Sequence, residues 1–367
     1  MELSVGVDLH KGQFTVYWLS ADRDVGEFER YRTNEHEYGL FEDKLRGYRE
    51  AGYEVNVAVE STGNTRYFKT RVERVGVVVT VINTMKFKVV NESVKKTDRH
   101  DARTIAEFLE KDMLPEARLC SEESEQLRRL LKSRRVLVRT VVSLKNQVHG
   151  LLLGYGIDTR KGQLQSKKER RRILDVLAEQ GLTGQAVEPL LETIDRLEAE
   201  VKKLEELLKG QVAGDRVVEL LMSIPGTGIL TATTVRAYMD DITRFRSYKQ
   251  FSAYAGLAPW VQSSNERERY GSITKRGPEP LRTALVQMVL GMVRNQRQTG
   301  SYRLMLGYQA MKPHKGTGKT IIATARKLSK IVWYMLRNDE PFDSTRMTDP
   351  EIRRVAFEMR AAVSAVA

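Results

Sequence analysis

The chain has 367 residues and a net charge of +13, with 61 Lys and Arg against 48 Asp and Glu. The length points to two or three domains, and 41% apolar with 30% charged residues excludes wholesale disorder. So basic a composition calls for a polyanionic partner, nucleic acid first. No apolar run approaches the roughly 18 residues needed to cross a bilayer, so no membrane partner is expected. The single cysteine, Cys120, excludes a disulfide framework and any cysteine-based zinc site. The acidic start Met1-Glu2-Leu3-Ser4 runs straight into a strand-like segment, which does not fit a signal peptide, and a cytoplasmic location is expected.

Residues 1–118 alternate strand and helix signals. Leu3 to Asp8, Phe14 to Leu19 and Val25 to Tyr31 read as strands compatible with hairpins. Glu35 to Ala51 has helical spacing through Tyr38, Phe41, Leu45 and Tyr48. Val55 to Val59 is a buried-type strand, Tyr67 to Val75 helical, and Val77 to Ile82 a β-branched run. This order predicts an α/β domain with a mixed sheet. Residues 119–212 are predicted as a basic helical coiled-coil region. Leu127, Leu130, Leu137, Val141, Leu144, Val148 and Leu151 form one seam, with Arg134 in a core slot. Leu190, Ile194, Leu197, Val201, Leu204 and Leu208 form a second, and Gly154 to Gln165 reads as the turn between them. A long antiparallel hairpin and an intermolecular coil satisfy the pattern equally. Residues 213–340 read as a second, mostly helical domain, and 341–367 as a short tail.

Charge is concentrated. From Arg128 to Arg172, nine Arg and five Lys stand against Asp158 and Glu169, a net charge of +12. Salt-bridged surface helices usually mix signs, so this run is expected to hold nucleic-acid backbone through Arg128, Arg129, Lys132, Arg134, Arg135, Arg139 and Lys145.

Four carboxylates stand out against this basic background. Asp8 ends the first strand in Val5-Gly6-Val7-Asp8-Leu9-His10-Lys11, and Glu60 ends another in Val57-Ala58-Val59-Glu60-Ser61-Thr62-Gly63. Open α/β sheets place sites beyond the carboxyl ends of their strands. Asp98 and Asp101, in Thr97-Asp98-Arg99-His100-Asp101-Ala102, fall on one face of a helix. Taken alone each acid has a plainer reading; Thr97 or Asp98, for example, suits a helix N-cap. Together they supply hard oxygen ligands for one or two Mg²⁺ ions, an arrangement that stabilises attacking and leaving oxygens at a phosphodiester.

The second domain carries Ser223-Ile224-Pro225-Gly226-Thr227-Gly228 before a helical run from Ile229 to Met239. Gly226 and Gly228 would let backbone N–H groups approach a phosphate. Tyr254-Ala255-Gly256-Leu257-Ala258-Pro259 leads into a polar loop with Ser263, Ser264 and Ser272 among Arg267, Arg269, Lys275, Arg276 and Arg282. A serine among cations suits attack on a phosphodiester, though chemistry alone favours a plain loop hydrogen-bonder. Gly316-Thr317-Gly318-Lys319-Thr320 lacks the first glycine of a P-loop, since Pro313 occupies that position. Lys319, Arg326 and Lys327 are instead expected to face a nucleic-acid backbone.

In this order the motifs resemble the DEDD-type insertion-sequence transposases, the bridge-RNA-guided serine recombinases, over most of the chain. The resemblance rests on Gly6 to Lys11, Val59 to Gly63, Lys96 to Ala102, Ile224 to Gly228, Gly256 to Pro259, and Gly318-Lys319 with Ala325 to Leu328. It implies an RNase-H/RuvC-like mixed-sheet domain, long coiled-coil helices and a mostly helical transposase domain. It implies that Asp8, Glu60, Asp98 and Asp101 hold Mg²⁺ and that Ser264, shortly after the Gly-x-Ala-Pro motif, is the nucleophile of a covalent phosphoserine–DNA intermediate. The expected partners are double-stranded donor and target DNA, a structured non-coding (bridge) RNA and further copies of the chain in a dimer or tetramer, on the bacterial nucleoid. The family's Asp-Ser-Gly-like step is here Ser263-Ser264-Asn265, which makes Ser263 a competitor for the nucleophile. The alternative reading is a metal-dependent RuvC-like nuclease or junction resolvase using water.

Overall fold

The computed structural model describes residues 1–20, 26–90, 97–160, 162–179, 184–264, 267–348 and 350–351. The chain divides into two compact units, Met1–Cys120 and Ser121–Ala367.

The first unit runs β1 (Glu2–Leu9), β2 (Gln13–Ser20), β3 (Glu27–Arg32), α1 (Glu35–Glu50), β4 (Glu54–Glu60), α2 (Thr65–Glu73), β5 (Val78–Ile82), α3 (Thr84–Val90) and α4 (Asp98–Glu110). The third strand begins at Glu27; Val25, its expected start, lies outside the described residues. The sheet order is β3-β2-β1-β4-β5. The pairs β1–β2 and β2–β3 are antiparallel, while β1–β4 and β4–β5 are parallel. This is the RNase-H/RuvC-like mixed sheet that the motif order implied.

Strand parity divides the sheet into two unlike faces. Leu3, Val5, Val7 and Leu9 of β1, with Phe14, Val16 and Trp18 of β2 and Val55, Val57 and Val59 of β4, pack on Phe41 and Leu45 of α1 and Phe68 and Val72 of α2. Aromatic rings fill this layer: Phe14 lies within 5.1–5.6 Å of Tyr31, Tyr38, Phe41 and Phe68. The opposite face is built from small residues. There Tyr17 meets Ala102 and Ala106 of α4, and Ala58 meets Ile105. Gly6 sits in the middle of that face. A Cβ on Gly6 would come 2.0 Å from the Ala102 carbonyl oxygen and 2.5 Å from the Ala106 nitrogen. Only the absence of a side chain lets α4 lie this close to β1.

The second unit runs α5 (Glu122–Gly154), α6 (Lys167–Glu179), α7 (Glu188–Gln211), α8 (Arg216–Met222), α9 (Ile229–Met239), α10 (Tyr248–Tyr254), β6 (Pro259–Ser264), β7 (Arg267–Ile273), α11 (Glu279–Arg294), α12 (Gln296–Thr299), α13 (Arg303–Asn338) and α14 (Ser344–Met347). Ser121 caps α5, accepting from the Ser124 N–H, and Glu122, Glu123 and Glu125 in the first turn complement the helix dipole. The two predicted seams meet within the chain. Arg134 pairs with Glu205 and Lys145 with Glu198, so α5 and α7 run antiparallel. The structure adds α6 where a turn was expected to do all the work; its Ile173 and Leu177 pack with Val148, Leu152, Leu191 and Ile194. The remaining helices enclose one core that includes Leu221, Val235, Phe251, Leu285, Met288, Leu328 and Val332. Gly316 breaks α13 with φ +72°, and helix precedes it, so Gly316 to Thr320 lacks the strand a P-loop requires.

Gly6→Ala is expected to lower unfolding stability by about 1–3 kcal/mol, the usual cost of overpacking against backbone that must shift. Gly39→Ala in α1, where a Cβ meets nothing within 4 Å, is expected to raise stability by about 0.5–1 kcal/mol. Thermal melts of the two variants check the contrast.

Candidate active site

The close approach of α4 to β1 determines where the acids lie. Asp8 has the parity of Gly6, so it faces α4, and it is 8% exposed. His10 is two residues further along. Its Nε2 lies 3.0 Å from Asp8 Oδ2 and 3.7 Å from Asp98 Oδ1. One potential ligand atom from each of Asp8, His10 and Asp98 lies within 4.8 Å of the others. Asp98 is steadied by Gln13 Nε2, donating at 3.5 Å, and by the Arg30 guanidinium at 3.8 Å. Thr97 takes the capping role, accepting from the His100 N–H at 3.2 Å, which leaves Asp98 available to face Asp8.

Glu60 sits at the end of the neighbouring strand. The last β1–β4 pair is Val7↔Val59, so the next step places Asp8 beside Glu60, and Glu60 shares the parity of Ala58 on the α4 face. The loops after the two strands are tied together. Thr65 Oγ1 donates to the Glu60 carbonyl at 2.7 Å, and Asn64 Nδ2 donates to the His10 carbonyl at 3.1 Å. Asp101 lies one turn beyond Asp98. Of the four predicted acids, then, Asp8 and Asp98 meet within reach of one ion, while Glu60 and Asp101 flank that group without belonging to it. His10 joins it, although the sequence reading gave it no role; its signal was the two-residue spacing from Asp8 at a strand end.

Burial pushes the Asp8 carboxyl above its ordinary range; His10 opposes this, and the charges of Asp98 and Asp101 push it further up. Anions crowded in this way, with hard oxygens and one imidazole nitrogen converging, fit a divalent cation, which would relieve the repulsion.

The serine motif forms a separate element in the second unit. Strands β6 and β7 pair as an antiparallel hairpin with Ser263↔Glu268 and Ser264↔Arg267, so both serines stand at its closed end. The side chains of Ser263, Ser264, Arg267 and Arg269, and Asn265 entirely, lie outside the described part of the structure. The hairpin's root is locked by backbone. Thr274 N–H donates to the Ala258 carbonyl at 2.9 Å and Lys275 N–H to that of Gly256 at 3.2 Å. Gly277 has φ +108°, and a Cβ there would stand 1.9 Å from the Tyr254 carbonyl oxygen. The Gly-x-Ala-Pro motif thus fixes the base from which the serines extend, with Lys275 and Arg276 exposed beside it.

Two family descriptions match the chain: residues 218–303 match the Transposase IS116/IS110/IS902 family, and residues 5–157 match the DEDD transposase family of IS110 type. The chain is 31% identical over 291 residues to the transposase for insertion sequence element IS1111A of Coxiella burnetii, covering 78% of this chain and 79% of that one. The chain belongs to the IS110/IS116 family of DEDD transposases. A probable family 20 transposase of Pseudomonas aeruginosa is 28% identical, over 77% of this chain and 84% of its own length. The transposase for insertion sequence element IS1328 of Yersinia enterocolitica is 28% identical over 76% and 82%. This transposase is a DNA-cleaving and strand-transfer enzyme of an insertion sequence. The DEDD family implies use of a divalent metal, and the Asp8–His10–Asp98 group is an acidic cluster suited to one. None of its described helices is long and apolar enough to cross a membrane.

Many cations of the transposase's basic run are committed internally. Arg128 donates to the Ala237 carbonyl at 2.9 Å and lies over the Tyr238 ring. Arg129 faces Glu125 at 3.5 Å, Arg134 pairs with Glu205 at 2.6 Å, Arg135 with Glu279 at 2.7 Å and Lys145 with Glu198 at 2.7 Å. Lys132 and Arg139 are exposed and form no ion pair among the described residues, although the charge of Arg139 helps to lower the Glu279 carboxyl. Gly226 is used for packing: with φ +81°, its Cβ position lies 2.5 Å from the backbone of Gly291 in α11. Gly228 stands open at the start of α9.

A divalent cation is expected to raise the melting temperature of the wild-type protein and to have no such effect on Asp8→Asn. In metal-free buffer at neutral pH, Asp8→Asn is expected to melt higher than wild type. The sign follows from the raised carboxyl: the folded state favours its neutral form, so its contribution to stability falls as pH rises through the window above the ordinary carboxylate value and stays low at neutrality. Calorimetry with and without Mg²⁺ checks both outcomes.

Proposed function

We propose that this transposase cuts and rejoins DNA with Mg²⁺ and a serine nucleophile, Ser264, through a covalent phosphoserine–DNA intermediate. The single observation that carries the metal part is the convergence of Asp8, Asp98 and His10 within 4.8 Å. Glu60 and Asp101 complete the acidic set in this reading. Bound Mg²⁺ would neutralise charge on the phosphoryl oxygens and help ionise the attacking hydroxyl. Asp8 and Asp98 would hold that charge in place, and His10 would orient Asp8 through the bond at 3.0 Å. The serine oxygen bonds to phosphorus as one bond from phosphorus to a sugar oxygen breaks. The serine loses its proton to a base, and the departing sugar oxygen gains one. A DNA hydroxyl later reverses the exchange, so the bond energy is conserved without a nucleotide cofactor.

What supports Ser264 is its place at the closed end of a hairpin with a rigid root, and the motif resemblance. The same resemblance supports guidance by a structured bridge RNA encoded by the element, and action as a dimer or tetramer on donor and target DNA. In this reading residues 1–118 are the catalytic domain, 119–212 a helical arm and 213–340 the serine-bearing domain. Cationic side chains of the second unit that form no ion pair among the described residues would carry nucleic-acid backbone: Lys132, Arg139, Lys275, Arg276, Lys319, Arg326 and Lys327.

Ser264→Ala is expected to abolish the covalent protein–DNA adduct on denaturing gels while leaving DNA binding unchanged. An adduct that survives Ser264→Ala and is lost in Ser263→Ala moves the role to Ser263. Cleavage to free phosphate ends with no adduct in wild type instead establishes a water nucleophile. Binding separates the cations of α5. Lys132→Ala and Arg139→Ala are each expected to lower the slope of log affinity against log salt by about 0.9, the loss of one phosphate contact. Arg134→Ala is expected to lower the melting temperature and leave that slope unchanged, because its partner is Glu205.

A further inference from the structure

An open cleft of about 1180 Å³ lies in the second unit between the β6–β7 hairpin, α10 and α13. Six cations line it: Lys249, Lys315, Lys319, Arg326, Lys327 and Lys330. No acid is among its lining residues, and none of the six has a carboxylate partner among the described residues. All six are exposed. This contrasts with α5, where most cations are neutralised within the chain. Like charges held together without internal counter-ions weaken the fold, and a polyanion supplied from outside removes that cost.

The cleft also holds aromatic surface. The Tyr248 ring lines it, with Lys330 Nζ 4.9 Å from the ring centroid. Lys330 Nζ is 5.9 Å from the centroid of Tyr334, which is 45% exposed, and the two rings are 6.2 Å apart. The ammonium group covers the Tyr248 ring face, so a flat ligand from the cleft stacks there once Lys330 moves aside. The hairpin residues Gly271, Ser272 and Ile273 close the other side. The volume exceeds the roughly 300–1,000 Å³ of small-molecule pockets, which suits an extended ligand. Rows of cations beside stackable rings are how unpaired strands are bound without sequence preference.

We propose that this cleft binds an unpaired nucleic-acid strand that leads to the hairpin. Phosphates engage Lys249, Lys315, Lys319 and Lys327. One base takes the face of Tyr248 as Lys330 swings from the ring to a phosphate. The proposal deepens the reading of this protein as a nucleic-acid enzyme and does not depend on Ser264 or on metal. DNA and RNA strands share this backbone chemistry, so the experiment includes both.

The test uses full-length Ser264→Ala protein without divalent cations, with fluorescent oligo-dT, oligo-rU and a DNA duplex as probes. Lys249→Ala with Lys330→Ala is expected to weaken single-strand binding by roughly tenfold or more and to flatten its salt slope by about 1.4, two phosphate contacts at ~0.7 each. Tyr248→Leu is expected to weaken it roughly tenfold, with Tyr248→Phe retaining wild-type affinity. Duplex affinity should change less than twofold in every variant. The probe bound more tightly, oligo-dT or oligo-rU, identifies the strand. Equal losses on duplex and single strand, or no loss on single strand, overturn the proposal. A second measurement needs no cleft substitution: an oligonucleotide carrying 5-iodouracil should photocrosslink to the peptide containing Tyr248, and crosslinking only elsewhere also overturns it. Because neither readout involves cleavage, a failure here is distinct from failure of the serine mechanism.

Discussion

A helix lying against the central strand at a distance that only glycine permits is the constraint on which the acidic cluster depends. With a side chain at Gly6, α4 would have to lift away from β1, because the nearest atoms are backbone rather than a flexible side chain. The first turn of α4 carries Asp98 and Asp101, and the end of β1 carries Asp8. Lifting the helix would therefore draw the carboxylates apart. Ala58, Ala102 and Ala106 extend the same requirement along the interface. Thr97 completes it by capping α4 and leaving Asp98 free for the cluster.

Two kinds of charge crowding stand out among the described residues. In the first unit, acids gather around a buried Asp8 whose carboxyl is pushed up by burial and by its neighbours. In the second, cations gather in a cleft without acids. Elsewhere many charges are neutralised within the chain. Arg170 is 3% exposed and pairs with both Asp195 and Glu198, and Lys145 shares Glu198 with it. Here the charges hold α5, α6 and α7 together; the same residue types are spent on structure or left exposed according to whether an acid faces them.

Much of this was legible from residue patterns. Apolar and β-branched runs from Leu3 to Ile82 pointed to the strands, and hairpin-compatible strands followed by strand–helix alternation pointed to the mixed sheet. Asp8 and Asp98 were named from their positions at a strand end and a helix start, and they meet. Other features depended on contacts distant in sequence. Arg134, Lys145 and Arg135 find acids 71, 53 and 144 residues away. A local count of charge therefore gave a footprint larger than the structure leaves exposed. Gly226 carried the signature of a phosphate turn, but its close neighbour is Gly291 on another helix. Helix α6 was hidden because Lys167 to Arg172 reads as polar, and only Arg170, Ile173 and Leu177 within it are buried. His10 was in plain sight, but nothing in the sequence shows that its ring turns back on Asp8.

The aromatic layer on the far side of the sheet gives the molecule an optical handle. Trp18 is the one tryptophan before residue 121; the other two, Trp260 and Trp333, belong to the second unit. It is 3% exposed, its indole N–H donates to Glu29, and the Lys44 ammonium lies 4.7 Å from the ring centroid. With Trp260 and Trp333 replaced by phenylalanine, the emission of this indole would report on the mixed sheet alone. Its melting would then be visible separately from that of the helical unit.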